Sequence, residues 1–156
     1  MIFYDRCNNP INKPEHIEPK QRISAYGLCI RDNKVLVVKP NWQDKWELPG
    51  GGADPNENLT DTVIREFMEE TGYKIEKVDN QPFKSIKQDF YADDIDEYFY
   101  STMNFFNVLE LSQDIVQDFD RQEINEIAWK ELDTLSKDNF RLWHLDAILD
   151  FLHGKN

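Results

Sequence analysis

The sequence predicts an α/β sandwich, with mixed strands flanked by two helices. Three observations lead there. Short runs rich in Val, Ile, Tyr and Phe, separated by turn residues, recur from Ile23 to Trp129. Two helical patterns, near 58–71 and 139–153, interrupt and close that series. The chain has 156 residues, 40% hydrophobic and 13% aromatic, enough for one domain with a substantial core.

Residues 1–20 carry Pro10, Pro14 and Pro19 and read as an irregular lead-in to a single domain over 21–156. Ile23 to Ile30 reads as a buried strand, Asp32-Asn33 as a tight turn, and Val35 to Val38 as the partner strand of a hairpin. A loop through Pro40 and Asn41 leads to Trp46-Glu47-Leu48, held extended by Pro49, and then to three glycines, Gly50, Gly51 and Gly52. Asn58 is placed to cap a helix that runs to Thr71, and Gly72 to end it in a left-handed conformation. Strands follow near 73–79, 83–91 and 97–109, then a loop of about 15 residues and a short strand around 124–129. In the last helix Leu142, Leu145, Leu149 and Leu152 recur at three- and four-residue spacing, and Gly154 stops it.

Thirty acidic residues against 18 basic ones give a formal charge of −12. That field repels a phosphate backbone, so binding of long nucleic acid is not expected. A small phosphorylated substrate needs cations between it and the protein. No apolar run approaches the roughly 20 residues that span a bilayer, and Met1 to Arg6 lacks the order of a secretory signal. Cys7 and Cys29 form neither a metal spacing nor a disulfide framework, so a cytoplasmic protein with reduced thiols is expected. His16, His144 and His153 have no metal spacing and read as surface or packing residues.

The 58–71 helix breaks local rules. Glu66, Glu69 and Glu70 project within an arc of about 100°. Leu59, Val63, Ile64, Phe67 and Met68 supply the adjacent packing face. Each like-charged pair costs a few tenths of a kcal/mol, and Glu69 and Glu70 also sit at the negative end of the helix dipole. A solvated acidic face is the bland account of such a cluster. A divalent cation reverses the sign, because hard oxygen ligands on successive turns can hold Mg²⁺ or Mn²⁺.

The spacing around these residues decides between the two. Gly51 is followed after five residues by Glu57, and after seven more by Arg65-Glu66-Phe67-Met68-Glu69-Glu70-Thr71-Gly72-Tyr73. This resembles the Nudix box, Gly-x5-Glu-x7-Arg-Glu-U-x-Glu-Glu-x-Gly-U, with U a bulky apolar residue. All seven singly specified positions match, which chance supplies on the order of once in 10⁸ windows. Tyr73, aromatic rather than aliphatic, is a mild departure. Trp46-Glu-Leu-Pro-Gly-Gly resembles the family's lead-in, and the element order fits its α/β/α sandwich with a mixed β-sheet.

The resemblance implies a hydrolase that splits a phosphoanhydride bond with Mg²⁺ or Mn²⁺. It implies Glu69 and Glu70 as metal ligands, and Glu66 as a ligand or as the base for the attacking water. Glu57 is expected near the metals or paired with Arg65, whose guanidinium can fix a carboxylate in a bidentate fork. The glycines let the backbone approach phosphate oxygens closely. A further acidic ligand from a later loop is expected at Glu123, with Glu126 and Asp120 behind it. Asp93, Asp94, Asp96 and Glu97 read as a polar turn between strands.

The box reads the diphosphate, and other loops read what is attached to it. Trp42 is the candidate stacking residue, with Lys39 and Lys45 beside it. Tyr91 falls where relatives acting on dinucleoside polyphosphates carry a tyrosine, while Asp89 replaces the proline of ADP-ribose-cleaving relatives. A nucleoside triphosphate or related nucleotide is the expected substrate. The competing readings are a nucleotide-binding module without turnover, and an isomerase on the same fold that would need a cysteine and glutamate pair in the pocket. A homodimer is expected only by analogy with the family.

Overall fold

The computed structural model describes residues 1–41, 43–115 and 124–154. The strand β3 (Lys20–Leu28) shows how the layers arise. Its Ala25 joins an apolar cluster with Val63 and Phe67, whereas Tyr26 and Leu28 join another with Leu145 and Ile148. Alternate strand residues point to opposite faces, so one strand feeds two cores. Gly27 lies on the first of these faces, where a Cβ would come within 2.8 Å of the Phe67 ring. The absent side chain is what lets the box helix, α1 (Leu59–Thr71), pack closely on the strand.

A long strand, β9 (Glu97–Ile115), runs parallel to β3. It pairs antiparallel with β8 (Lys84–Ala92) along its first half and with β7 (Tyr73–Val78) along its second. On the other side of β3, the short strand β6 (Gly50–Gly52) pairs antiparallel with Ser24 to Tyr26. A second sheet is formed by β4 (Ile30–Arg31), β5 (Lys34–Pro40) and β10 (Ile124–Glu131). The β4–β5 turn uses Asp32 and Asn33 at φ 51° and 63°, the positive pair that a two-residue hairpin requires. The final helix α2 (Leu142–His153) covers the face opposite α1, completing the α/β/α sandwich.

Helix α1 has the ends expected of it. Asn58 accepts the Asp61 amide through its side chain at 2.8 Å. Gly72, at φ 79°, donates its N–H to the Met68 carbonyl at 2.8 Å. Both thiols are free, with Cys7 exposed and Cys29 buried. Among the described residues no helix is long and apolar enough to cross a membrane.

Three expectations are corrected. Residues 1–20 are not simply irregular, because β1 (Ile2–Tyr4) and β2 (Pro10–Asn12) form a hairpin on the sheet edge beside β8. Pro10 opens an outermost strand, where a missing N–H costs no ladder bond. The Asp5 side chain ties the turn by accepting the Cys7 and Asn9 amides. Strand β9 continues to Ile115 instead of ending near 109, so the loop expected after it shrinks, and residues 116–123 lie outside the described set. The last helix begins at Leu142, not 139, because Asn139 and Arg141 spend their backbone groups on Trp46.

Candidate active site

Helix α1 meets strand β6 at the box. Arg65 organises the carboxylates there. Its Nε and Nη2 donate to the two oxygens of Glu57, both at 2.9 Å, in a bidentate fork. Its Nη1 donates to Glu66 at 2.8 Å and more distantly to Glu69 at 3.4 Å, while Nη2 also reaches the Gly52 carbonyl. Glu57 additionally accepts the Asp54 amide and the Thr62 hydroxyl. The Arg65 hydrogen bonds, with these others, bring the Glu57 carboxyl down to about 2, and Glu57 in turn pushes the guanidinium higher. One guanidinium thus spans Glu57, Glu66 and the glycine strand.

Glu70 is held from the other side. The Gly50 N–H donates to its Oε1 at 3.0 Å, so the glycine strand positions a carboxylate as well as the backbone. Gly50 leaves no choice of residue, since a Cβ would sit 2.2 Å from the Ala25 carbonyl oxygen. A Cβ on Gly51 would lie 2.7 Å from the Glu66 carboxylate, so glycine keeps the space beside that group open.

Glu66, Glu70 and Gly50 to Gly52 line a cleft of about 230 Å³. The cleft is also lined by Arg6, Arg22, Glu47 and Arg141, with Phe90 and Ile95 as its apolar part. The Arg22 guanidinium stands about 4 Å from the Cβ position of Gly52. Arg6 arrives from the N-terminal hairpin and donates to Asp93 and Asp94 at 2.9 Å each. Glu47 and Arg141 form an ion pair at 3.2 Å with side chains only 6% and 15% exposed. Burial raises the Glu47 carboxyl, and the Arg141 charge pulls it back.

The structure brings some expected residues together and separates others. Glu66, Glu70 and the glycines share the cleft. Glu69 turns toward Arg65, half-buried and outside the cleft lining. Lys39 is engaged by Asp44 and Glu126 and lies 4.8 Å from the Trp46 ring centre, away from the cleft. Lys45 donates to the Lys137 carbonyl. The Tyr91 hydroxyl donates to Asp96, which pushes the phenol up to about 12; its neighbour Phe90 faces the cleft instead. The acidic turn is a polar turn as expected, and also the anchor of Arg6. Trp42, Asp120 and Glu123 lie outside the described residues.

Glu47 and three arginines of the cleft escaped the sequence reading. Glu47 had a signal, its place in the Trp46-to-Gly51 lead-in. Arg6, Arg22 and Arg141 had none, since each reaches the cleft only through strand order and helix packing.

Among the described residues, no three His, Cys, Asp or Glu side chains converge as a ready metal cluster. The donor chemistry nevertheless fits a hard divalent cation. Two carboxylates, Glu66 and Glu70, face one cleft, and Gly51 leaves room beside the first.

Fold and cleft define an α/β/α sandwich with a glutamate helix set against a glycine strand. Comparison with known proteins agrees. The model of the NUDIX domain family matches residues 20–151. A nucleoside triphosphatase, NudI, of Enterobacter sp. (strain 638) is 29% identical over 119 residues, covering 74% of this chain and 79% of that protein. An 8-oxo-dGTP diphosphatase of Buchnera aphidicola subsp. Schizaphis graminum is 43% identical over 53 residues, covering 31% of this chain and 41% of that one. The MutT protein of Methanosarcina mazei Go1 superposes with a TM-score of 0.68 at 21% identity, over 90% of this chain and 99% of that one. At that identity the structural likeness concerns the fold. The chain belongs to the NUDIX domain family and is a Nudix hydrolase, an enzyme that splits a pyrophosphate bond.

Proposed function

We propose that this hydrolase acts on a nucleoside triphosphate or a related nucleotide, with Mg²⁺ or Mn²⁺ as cofactor. The observation that carries the reading is the shared cleft of Glu66, Glu70 and the glycine strand, with Glu70 held by the Gly50 N–H. The NudI and 8-oxo-dGTP diphosphatase relatives support a nucleotide substrate.

Glu66 and Glu70 would hold the cation, which when bound would supply positive charge to the diphosphate and favour deprotonation of a water. Arg65 fixes Glu66, and Gly50 fixes Glu70, so neither carboxylate has to be ordered during the reaction. Alternatively Glu66 would serve as the base that takes the proton of the attacking water, worth roughly 10²–10⁴ in rate. The water oxygen forms a bond to phosphorus, the bridging P–O bond breaks, and the departing phosphate or pyrophosphate keeps the electron pair. Arg22, over Gly52, offers a positive charge for a phosphate oxygen.

The test is release of phosphate or pyrophosphate from a nucleotide panel with and without Mg²⁺ or Mn²⁺, with Glu70→Gln alongside. Metal-dependent turnover that falls at least a hundredfold in the variant is expected. A fully active Glu70→Gln enzyme would remove the proposed site.

A further inference from the structure

We infer that the buried Glu47–Arg141 pair is the base-reading element of the cleft, and that it selects a ring carrying the 2-amino-pyrimidin-4-one edge shared by guanine and pterins. The assignment rests on the hydrolase reading in using the same cleft. Its basis is where the pair sits and what it leaves unspent.

Both residues line the cleft that holds Glu66 and Glu70, yet neither belongs to the box. Both are fixed by backbone bonds. Glu47 exchanges N–H and carbonyl with Val38 at 2.8 and 2.9 Å, and the Arg141 amide donates to the Trp46 carbonyl at 2.9 Å. The side chains therefore meet at a set place across 94 residues of sequence. A buried ion pair is a poor source of stability, because desolvation consumes much of the attraction. One opening onto a cleft asks for a ligand as its explanation.

The hydrogen bonds of Glu47 are unevenly spent. Arg141 Nη1 at 3.2 Å and Gln43 Nε2 at 2.9 Å both donate to Oε2. The Arg6 charge also acts on this carboxylate, and the two hydrogen bonds both fall on one of its oxygens. The cleft thus presents a carboxylate acceptor beside a guanidinium donor. A complementary ring edge has adjacent N–H donors next to a carbonyl acceptor. The 2-amino-pyrimidin-4-one edge supplies this, with its amino group and ring N–H for Glu47 and its carbonyl for Arg141. Hypoxanthine and uracil keep the N–H and carbonyl but lack the second donor. Adenine and cytosine set an unprotonated ring nitrogen against the carboxylate and are refused. Such a mismatch leaves buried polar groups unpaired, which is how hydrogen-bonding sites discriminate.

The experiment is calorimetric titration of the intact protein, with Mg²⁺, by GMP, IMP, UMP, AMP and CMP. These monophosphates lack a phosphoanhydride bond and are not turned over. GMP is expected to bind about tenfold to a hundredfold more tightly than AMP, the discrimination of one two-point contact, with IMP and UMP between. Glu47→Gln should lower GMP affinity at least tenfold more than AMP affinity. Displacement of GMP by free neopterin would extend the site to pterins, and its failure would restrict it to guanine. Equal affinity for GMP and AMP in the unaltered protein, or equal weakening of all five in the variant, overturns the assignment. The first criterion needs no variant, so it stands even if Glu47→Gln fails to fold. Selective GMP binding without turnover of any triphosphate would sink the hydrolase reading alone. Equal kcat/KM for GTP and ATP would sink the base assignment alone.

Discussion

Arg65 shows how one side chain serves several carboxylates at once. Its fork closes on both oxygens of Glu57, while a third nitrogen holds Glu66 and leans toward Glu69. Without it, Glu66 would meet the like charges of Glu69 and Glu70 without the guanidinium that orients it. The planar fork is the property that matters, and lysine offers a point charge in its place. Arg65→Lys should therefore fold but lose at least tenfold in kcat/KM, measured as metal-dependent turnover. Activity equal to the parent would mean that Glu66 is oriented by other contacts.

At the scale of elements, a buried histidine helps tie α2 to the segment leading into the glycine strand. His144, on α2, accepts the Leu48 N–H through Nδ1 at 3.0 Å, two residues before the amide that holds Glu70. The ring is fully buried against Tyr26 and Phe105, and its Nε2 has no hydrogen-bond partner among the described residues. Burial, with the Arg141 charge nearby, drives its pKa well below the ordinary 6.5. The neutral form is the one the fold needs. Its contribution is complete above about pH 6.5 and is lost as pH falls toward the depressed value, at up to about 1.4 kcal/mol per pH unit for one proton. Thermal melting across pH 4 to 8 should show this acid-side loss. His144→Asn, whose amide oxygen can accept the same N–H without titrating, should flatten the curve below about pH 6.5. An unchanged slope would assign the acid lability to other groups.

For the whole molecule, the unexpected part is the N-terminal hairpin. It precedes the span matched by the family, yet it brings Arg6 to the cleft. Phe3 secures it, fully buried and edge-on to Tyr98 with ring centres 5.3 Å apart. Truncating such a ring costs about 3–5 kcal/mol where the site does not collapse. Because the hairpin lies on the sheet edge, Phe3→Ala should loosen residues 1–12 while α1 stays folded. Faster amide exchange confined to the hairpin, with KM raised more than kcat, is the expected result. An unchanged KM would detach the hairpin from substrate binding.

Much of this protein was legible in one dimension because its informative signals are local. Helix α1, its Asn58 cap and its Gly72 stop follow from propensity and backbone sterics within a few residues. The Asp32-Asn33 hairpin turn follows from the same short range. The box announced its chemistry because Gly51, Glu57, Arg65, Glu66 and Glu70 lie within twenty residues at set spacing. What only the tertiary structure decided is which residues outside the box join its cleft. Arg6 comes from an edge hairpin, Arg22 from a central strand, Glu47 from an extended bridge and Arg141 from the start of the last helix. No local pattern marks the three arginines, because their proximity is created by sheet order and by helix packing on the opposite face. Tyr91 and Phe90 make the same point in miniature. Strand alternation sends one ring to the acidic turn and the next to the cleft, and the register that chooses between them is a property of the assembled sheet.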